Sequence, residues 1–464
     1  MEHNPLAVRR PKVALETMGC KLNLADTALL AQDFVRTGYE VVSPTEADSV
    51  DVFVLNTCTV THVADRKARH LLRAARRRFP GAYMVATGCY AQRVPEELSR
   101  LSEIDLVAGN TSKPTLVDLV TEGFKARGRG SADFPPLLSP DTDLPPRATF
   151  LPHQTRAFVK IQEGCNDYCS YCIIPKTRGQ SRSFSADPVV AEVRAKEAAG
   201  YQEVVLTGTQ LGDYGIDSPG SRGRGPDRRD QATQGEPLAT LLARILRETA
   251  IRRIRLSSLQ PQDVTPGLLE LWHDPRLCPH VHLPLQSGSD AVLREMRRRY
   301  TAQEYEDAME RIRAEVPDVS ITTDVIVGFP GETAADFDAT LALCRSLRFA
   351  DMHVFPFSPR SGTLAARLKD NVPDRIKQER VRLLLDLAQA GRASYQERFL
   401  GSMRPVLWEE EKVTPEVAAK PVWHGLTDNY MRVFARGSQE LNGKVLATRL
   451  AERVAHGIWG EVGQ

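Results

Sequence analysis

Along this 464-residue chain, short apolar runs alternate with amphipathic helical stretches, and the alternation occurs twice. In the first block Lys12–Glu16, Asp51–Leu55, Tyr83–Ala86 and Ile104–Ala108 read as strands. Leu24–Thr37, Val63–Phe79, Pro95–Leu101 and Pro114–Glu122 read as the helices between them. A helix between successive strands carries the chain back across the sheet, so each new strand runs parallel to the last. The expectation is α/β, with an N-terminal doubly wound parallel sheet over residues 10–122. Residues 123–153, rich in Gly, Pro and Asp, read as a linker. The second block spans 154–398, with strands expected at Ala157–Gln162, Glu203–Thr209, Arg253–Ser257, His280–Pro284, Ile321–Gly328 and Asp351–Phe357. Pro188–Ala199, Leu238–Glu248, Ala302–Glu315 and Ala334–Leu347 are helices among them. Six such units predict a central partial TIM-like (β/α)6 barrel with its site at the carboxyl ends of the strands. Residues 215–236, poor in apolar side chains, read as a surface loop inserted in one unit. From 399 to 464 the pattern changes to short strands (Val406–Trp408, Tyr430–Val433, Val445–Ala447) between glycines and charges, as in a small β-barrel.

Met1 to Lys12 has no apolar run of signal-peptide length, and no stretch is long enough to span a bilayer. The expected compartment is therefore the cytoplasm, with no membrane partner. There, eight cysteines read as metal ligands or core residues rather than disulfides. The net charge of +2 decides nothing about nucleic acid, because local patches do.

Cys165, Cys169 and Cys172 stand at C-x-x-x-C-x-x-C spacing on the loop leaving a strand. Three thiolates can hold three irons of a four-iron, four-sulfur cluster and leave the fourth iron open. A structural zinc site closes with four ligands, and no fourth Cys or His lies near; a disulfide would leave one cysteine over. Cys20, Cys58 and Cys89 each fall just past one of the first three strands, whose carboxyl ends share an edge. They can converge on a second cluster, or be small buried hydrophobes. Cys344, on one helix face with Phe337, Leu341 and Leu347, reads as core. Cys20 and Cys89 instead follow Gly19 and Gly88, where core packing is weakest.

The C-x-x-x-C-x-x-C spacing resembles the radical S-adenosylmethionine (SAM) enzymes, and the longer motifs resemble their methylthiotransferase family across nearly the whole chain. These motifs are Gly19-Cys20-Lys21-Leu22-Asn23, Asn56-Thr57-Cys58-Thr59-Val60-Thr61, Thr87-Gly88-Cys89-Tyr90-Ala91-Gln92, His282-Leu283-Pro284-Leu285-Gln286-Ser287-Gly288-Ser289 and Thr323-Asp324-Val325-Ile326-Val327-Gly328-Phe329-Pro330-Gly331-Glu332. Gly425-Leu426-Thr427-Asp428-Asn429-Tyr430 resembles the family's TRAM domain, an RNA-binding β-barrel. The resemblance implies two [4Fe-4S] clusters. Cys165, Cys169 and Cys172 would hold the catalytic, SAM-cleaving one; Cys20, Cys58 and Cys89 would hold the auxiliary one, which presents the sulfur to be methylated. SAM would serve as methyl donor and as radical source. At strand ends, Thr207, Gly208, Thr209, Ser257, Ser258, Gln286 and Gly328 could contact SAM, or be turn and support residues. Gly328 would let the adenine come close.

Lys21 after Cys20, and Thr59-Val60-Thr61 after Cys58, make the resemblance greatest to the branch acting on N6-threonylcarbamoyladenosine at position 37 of tRNA. Leu22, Ala25-Asp26 and Thr209-Gln210-Leu211 depart from that branch's usual residues. The alternatives are methylthiolation of isopentenyladenosine or of a ribosomal-protein aspartate, and, from another class, a non-catalytic iron–sulfur RNA-binding protein. The partners implied are a tRNA anticodon stem-loop and a flavodoxin- or ferredoxin-like electron donor, with the chain a monomer. Arg66, Lys67, Arg69, Arg73, Arg76, Arg77 and Arg78 could track phosphates or form a solvated helix face. Arg297-Arg298-Arg299-Tyr300 could do likewise, with Tyr300 stacking a base. In the tail, Arg432, Arg436, Lys444 and Arg449 alternate with apolar residues, as a face binding a nucleic-acid backbone would.

Overall fold

The computed structural model describes residues 9–127, 154–216, 236–369, 371–412, 422–437 and 439–463. Most of the expected linker and of the 215–236 insertion lies outside them. The chain divides into two compact units: Met1–Pro152 with Ile173–Gln180, and His153–Cys172 with Ser181–Gln464.

The first unit is built on five parallel strands, β1 (Lys12–Thr17), β2 (Glu40–Val42), β3 (Val52–Thr57), β4 (Tyr83–Gly88) and β5 (Leu106–Ala108), in the order β2-β1-β3-β4-β5. Side chains alternate across it. Val13, Val54 and Val85 meet Leu30 and Phe34 of helix Lys21–Arg36 and Leu116 and Val120 of helix Leu116–Ala126. Ala14, Phe53, Leu55 and Met84 meet Ala68, Leu72 and Ala75 of helix His62–Arg78 on the other face. With both faces covered, β3 and β4 are buried throughout and read as continuous apolar runs rather than alternating ones. Two details depart from expectation. The edge strand β2 has only three residues, too few for a period-two signal. Helix Leu116–Ala126 runs into the expected linker because Phe124 is buried against the sheet, while Gly123 lets the helix pass close to the Tyr83 hydroxyl.

In the second unit β6 (Arg156–Lys160) leads to a two-stranded antiparallel pair, β7 (Gln162–Glu163) and β8 (Arg182–Ser183). Then follow β9 (Glu203–Thr207), β10 (Arg253–Leu256), β11 (His280–His282), β12 (Ser320–Val327) and β13 (Asp351–Pro356). All six expected barrel strands are present. They pair in parallel as β10-β9-β6 and β11-β12-β13. The two threes join through an Ile254–Leu277 bridge and a Leu259 N–H to His282 carbonyl bond of 3.0 Å. One apolar core, including Val204, Leu206, Ile254, Val281, Ile321 and Val325, lies between strands and helices.

The remaining strands, β14 (Met403–Lys412), β15 (Val422–Thr427), β16 (Arg432–Arg436), β17 (Val445–Val454) and β18 (Gly457–Val462), close a barrel in the order β14-β15-β16-β18-β17. Trp408, Val433, Leu450 and Ile458 fill it. The turn after β15 is docked on the amino ends of β9 and β10. Arg253 donates to the carbonyls of Leu426 (3.2 Å) and Thr427 (2.7 Å), and Arg255 to that of Asp428 (2.9 Å). Glu203 bridges both arginines at 2.9 and 2.8 Å, and Tyr430 stacks on His280 with centroids 4.2 Å apart. The small barrel thus seals the end of the larger one opposite the strands' carboxyl ends. Among the described residues no helix is long and apolar enough to cross a membrane.

Candidate active site

In the first unit the register aligns Thr17 with Asn56 and Thr57 with Gly88, so β1, β3 and β4 end side by side. Cys20 caps helix Lys21–Arg36, Cys58 follows β3, and Cys89 opens the short helix Cys89–Arg93. A Cβ on Gly19 would stand 2.6 Å from Cys58 Cβ and 2.9 Å from its Sγ, so the glycine is what lets the Cys20 loop approach Cys58. Burial pushes the Cys58 thiol up to about 12, and the nearby Cys20 and Cys89 sulfurs add to the rise. Cys20 is exposed while Cys58 and Cys89 are buried. Asn110 Nδ2 lies 3.4 Å from Cys89 Sγ and 2.8 Å from the carbonyl of Thr177. Three buried polar atoms here, Asn56 Oδ1, Thr87 Oγ1 and Asn110 Oδ1, have no protein hydrogen-bond partner. A pocket of soft sulfurs with spare polar atoms fits an inorganic cluster better than a packed core.

Gly88 is the strictest backbone position here. Its φ is +95°, and an added Cβ would lie 2.5 Å from the Thr57 carbonyl oxygen. Gly88→Ala is expected to destabilise the first unit by about 1–3 kcal/mol from backbone strain alone. The check is a lower thermal midpoint together with less iron retained per chain.

The Cys165–Cys172 loop is held from several sides within the second unit. Ser170 N–H donates to the Met296 carbonyl at 3.0 Å, its hydroxyl to that of Glu295 at 2.8 Å, and its carbonyl accepts from Ala365 N–H at 2.7 Å. Asp167 is clasped by Arg299 (2.9 Å) and Gln260 (3.2 Å). Arg298 Nη1 lies 3.3 Å from Cys169 Sγ, and the Asp167 N–H 3.4 Å from Cys165 Sγ. The Cys58 sulfur feels those of Cys20 and Cys89, the Cys165 sulfur feels that of Cys172, and Tyr171 feels both Cys169 and Cys172, so the thiols of each triplet lie near one another. Soft sulfur ligands gathered three at a time are the donor set of a cubane with one open iron. The residues present therefore fit a cluster at each triplet.

Of the residues expected to contact SAM, Thr207 is buried at the end of β9, its carbonyl taken by Ile161 N–H. Thr209 and Gln210 N–H both donate at 2.9 Å to Gln162 Oε1, whose Nε2 reaches the Gly164 carbonyl at 2.8 Å. Gln162 thereby ties the end of β9 to the cysteine loop, and Gly208 leaves room for it. The Thr209 and Ser257 hydroxyl oxygens are buried without a protein partner, as atoms awaiting a ligand would be. Ser258 is half-buried. Gln286 has a left-handed backbone (φ 66°) and exchanges backbone bonds with Asp324 and Ile326 of β12. Gly328, also left-handed, is approached by the stem of Lys377, whose Cγ would lie 2.4 Å from an added Cβ. The absence of a side chain at Gly328 thus makes room for the Lys377 stem.

The basic runs differ in how their side chains are engaged. On helix His62–Arg78, Arg69 binds Tyr90 and Glu97, Arg76 binds Glu103, Ala82 and Asp105, and Arg78 binds the carbonyls of Thr45 and Ala47. Arg66, Lys67, Arg73, Arg77 and Arg78 are nonetheless exposed, Arg73 lying 3.5 Å from the Glu103 carboxylate. Tyr300 is buried, its hydroxyl bonded to the carbonyls of Pro284 and Leu285, so no base can stack on it. Arg432, Arg436, Lys444 and Arg449 are exposed on the closed barrel, Arg436 lying 4.7 Å over the Trp459 ring.

Sequence reasoning missed three groups. Gln162 looks like an ordinary strand residue. Arg178, just past the cysteine loop, is buried in the first unit against Asp26 (3.2 Å), which also takes Lys113 (2.5 Å). On neighbouring strands, Asp324 holds two imidazoles, one on each oxygen: His282 Nε2 at 3.3 Å and His353 Nδ1 at 3.1 Å. Burial raises the Asp324 pKa, but hydrogen bonds from the two histidines outweigh it and hold the carboxyl well below the usual range. His282 and Asp324 stood in the quoted motifs; their partnership needed the register of β11, β12 and β13.

The model of the Radical SAM superfamily matches residues 159–344, and that of the uncharacterized protein family UPF0004 matches residues 12–109. The chain is 40% identical over 438 residues to the threonylcarbamoyladenosine tRNA methylthiotransferase MtaB of Aquifex aeolicus, covering 94% of this chain and 99% of that protein. It is 34% identical to the protein of the same name from Bacillus subtilis, over 94% of this chain and 93% of that one. To the tRNA-2-methylthio-N(6)-dimethylallyladenosine synthase of Nitrosospira multiformis it is 35% identical, over 97% and 92%. Among solved structures, the radical S-adenosylmethionine methyltransferase TsrM of Kitasatospora setae, with cobalamin and a [4Fe-4S] cluster bound, matches with a TM-score of 0.50 and 16% identity over 75% of each chain. That likeness concerns the fold alone.

Proposed function

Because this chain belongs to the radical SAM tRNA methylthiotransferases, we propose that its substrate is N6-threonylcarbamoyladenosine at position 37 of tRNA, whose adenine C-2 hydrogen it replaces with a methylthio group. The observation that carries this reading is the 40% identity, over 99% of its length, to a relative named for that nucleoside. Two further relatives of that name stand at 34 and 35% identity, and five named for dimethylallyladenosine at 32–35%.

Two [4Fe-4S] clusters with SAM would supply, when bound, the 5′-deoxyadenosyl radical and the methylated sulfur. Cys165, Cys169 and Cys172 would hold the first cluster, and Cys20, Cys58 and Cys89 the second. The buried hydroxyls of Thr209 and Ser257, which have no protein partner, would hydrogen-bond SAM, with Gly208, Ser258 and Gln286 beside them at strand ends. The protein's own work is to fix these groups and keep water and other radical quenchers away. A low-potential donor of the flavodoxin or ferredoxin kind would deliver the electron. The closed barrel would act as a TRAM-like module, its exposed Arg432, Arg436, Lys444 and Arg449 meeting tRNA phosphates.

The test is mass spectrometry of tRNA nucleosides from cells lacking the gene. The expected result is loss of 2-methylthio-N6-threonylcarbamoyladenosine; loss of the isopentenyl analogue instead would move the substrate to the sister branch. Replacing Arg432 and Arg449 together with Ala is expected to weaken tRNA binding. The slope of log affinity against log salt should fall by about 0.7–0.9 for each phosphate that the variant no longer neutralises. An unchanged slope would remove that face from the RNA site.

A further inference from the structure

The run Arg297-Arg298-Arg299-Tyr300 ends the short helix Asp290–Glu295 with a left-handed turn. Arg297 has φ 57°, and the N–H groups of Arg297 and Arg298 return to the carbonyls of Arg294 and Leu293. This helix-ending turn brings the next two side chains onto the Cys165–Cys172 loop, Arg298 partly buried and Arg299 still exposed. Arg299 takes the loop's Asp167. Arg298 lies 4.8 Å over the Tyr300 ring, donates to the Tyr300 hydroxyl and Gln260 Oε1 at 3.1 Å each, and places Nη1 3.3 Å from Cys169 Sγ. Tyr300 is itself pinned by the Pro284 and Leu285 carbonyls, and Gln260 is buried. The guanidinium is therefore fixed at the sulfur.

We propose that Arg298 sets the electron affinity of the cluster held by Cys165, Cys169 and Cys172, through a charge-assisted N–H···S bond to Cys169. It is a positioning residue, acting through the ligand sulfur. The proposal rests on reading this triplet as a cluster site. The relevant step is the uptake of one electron from the low-potential donor, with no bond made or broken; one unit of negative charge is added and spread over the sulfurs. A fixed cation at one of those sulfurs, screened little by water, favours the reduced state over the oxidised one. Hydrogen bonds to cluster sulfurs act in the same direction, and one from a guanidinium is among the stronger kinds.

The experiment uses the full chain, anaerobically loaded with iron and sulfide and poised with mediators at one fixed potential. Iron content and the SAM-responsive reduced-cluster signal are measured, the latter by electron paramagnetic resonance. Wild-type iron content tests the cluster reading separately: if the wild type loads no cluster at this triplet, that reading fails before Arg298 is at issue. In a loaded Arg298→Gln variant the reduced-to-oxidised ratio is expected to fall at least tenfold, which is 59 mV for a one-electron couple. Arg298→Lys, which keeps the charge, is expected to stay within threefold of the wild type. A Gln variant that loads fully and reduces like the wild type overturns the proposal. If the Gln variant loads no cluster, the Lys variant decides. Its loading and reducing like the wild type supports a role for the charge, and its failing to do so reassigns Arg298 to holding the loop's shape.

Discussion

A Cys58→Ala chain is expected to keep making 5′-deoxyadenosine from SAM while producing no methylthiolated tRNA. Its iron should fall from about eight to about four per chain, one cubane's worth. The expectation follows from the way the two cysteine triplets are built. Cys58 is buried at the end of β3, with the Gly19 backbone pressed against it, and its sulfur feels those of Cys20 and Cys89. Cys165, Cys169 and Cys172 are held separately, by Ser170, Asp167 and their partners in the second unit. Losing one ligand of the first triplet should thus spare radical generation and stop sulfur delivery. Cys169→Ala should abolish both products. Separate assays of 5′-deoxyadenosine and tRNA nucleosides check this. A Cys58→Ala chain with full iron and normal product would remove Cys20, Cys58 and Cys89 from the chemistry and return them to the core.

Removing Glu203 should produce the largest stability loss of any single change considered. Its carboxylate is fully buried between Arg253 and Arg255 at the seam between the large and the small barrel. Burial alone would raise its pKa, but the two guanidiniums more than reverse this and hold it at about 2, against an ordinary 4.5. Glu203→Ala would leave two buried cations with carbonyls as their main partners, at a cost of about 3–5 kcal/mol. Differential scanning of the second unit's transition checks this, and a variant melting with the wild type would show the seam to be held by Tyr430 and apolar packing alone. The pH dependence has a definite sign. The folded-state pKa lies below the unfolded one, so the stabilisation is complete above about 4.5 and is lost as pH falls towards about 2.

Much of the fold was legible because its signals are local. Strands buried on both faces read as apolar runs, helices repeat their apolar positions every three to four residues, and the cysteines stand at the strand ends where parallel sheets gather ligands. Weak signals failed where length or context was short. The three-residue β2 cannot show a period, and Gly123 reads as a helix breaker although Phe124 anchors the helix beyond it. Charge was the poorest guide. Arg69, Arg76 and Arg78, which look like a phosphate-tracking face, bind carboxylates and carbonyls of their own unit, and Arg298 turns from solvent to a cysteine sulfur.

The amino-acid order alone thus determined the layered α/β architecture, the closing small barrel and the six cysteines at strand ends, since period and spacing are written within a few neighbouring residues. Only the tertiary structure decided which polar groups meet: Gln162 with Thr209, Asp324 with His282 and His353, Glu203 with two arginines, and Arg298 with Cys169. Hydrogen bonds and ion pairs act over about 3 Å, and residues 29 to 129 positions apart come that close only once strand register and crossing loops have brought them together.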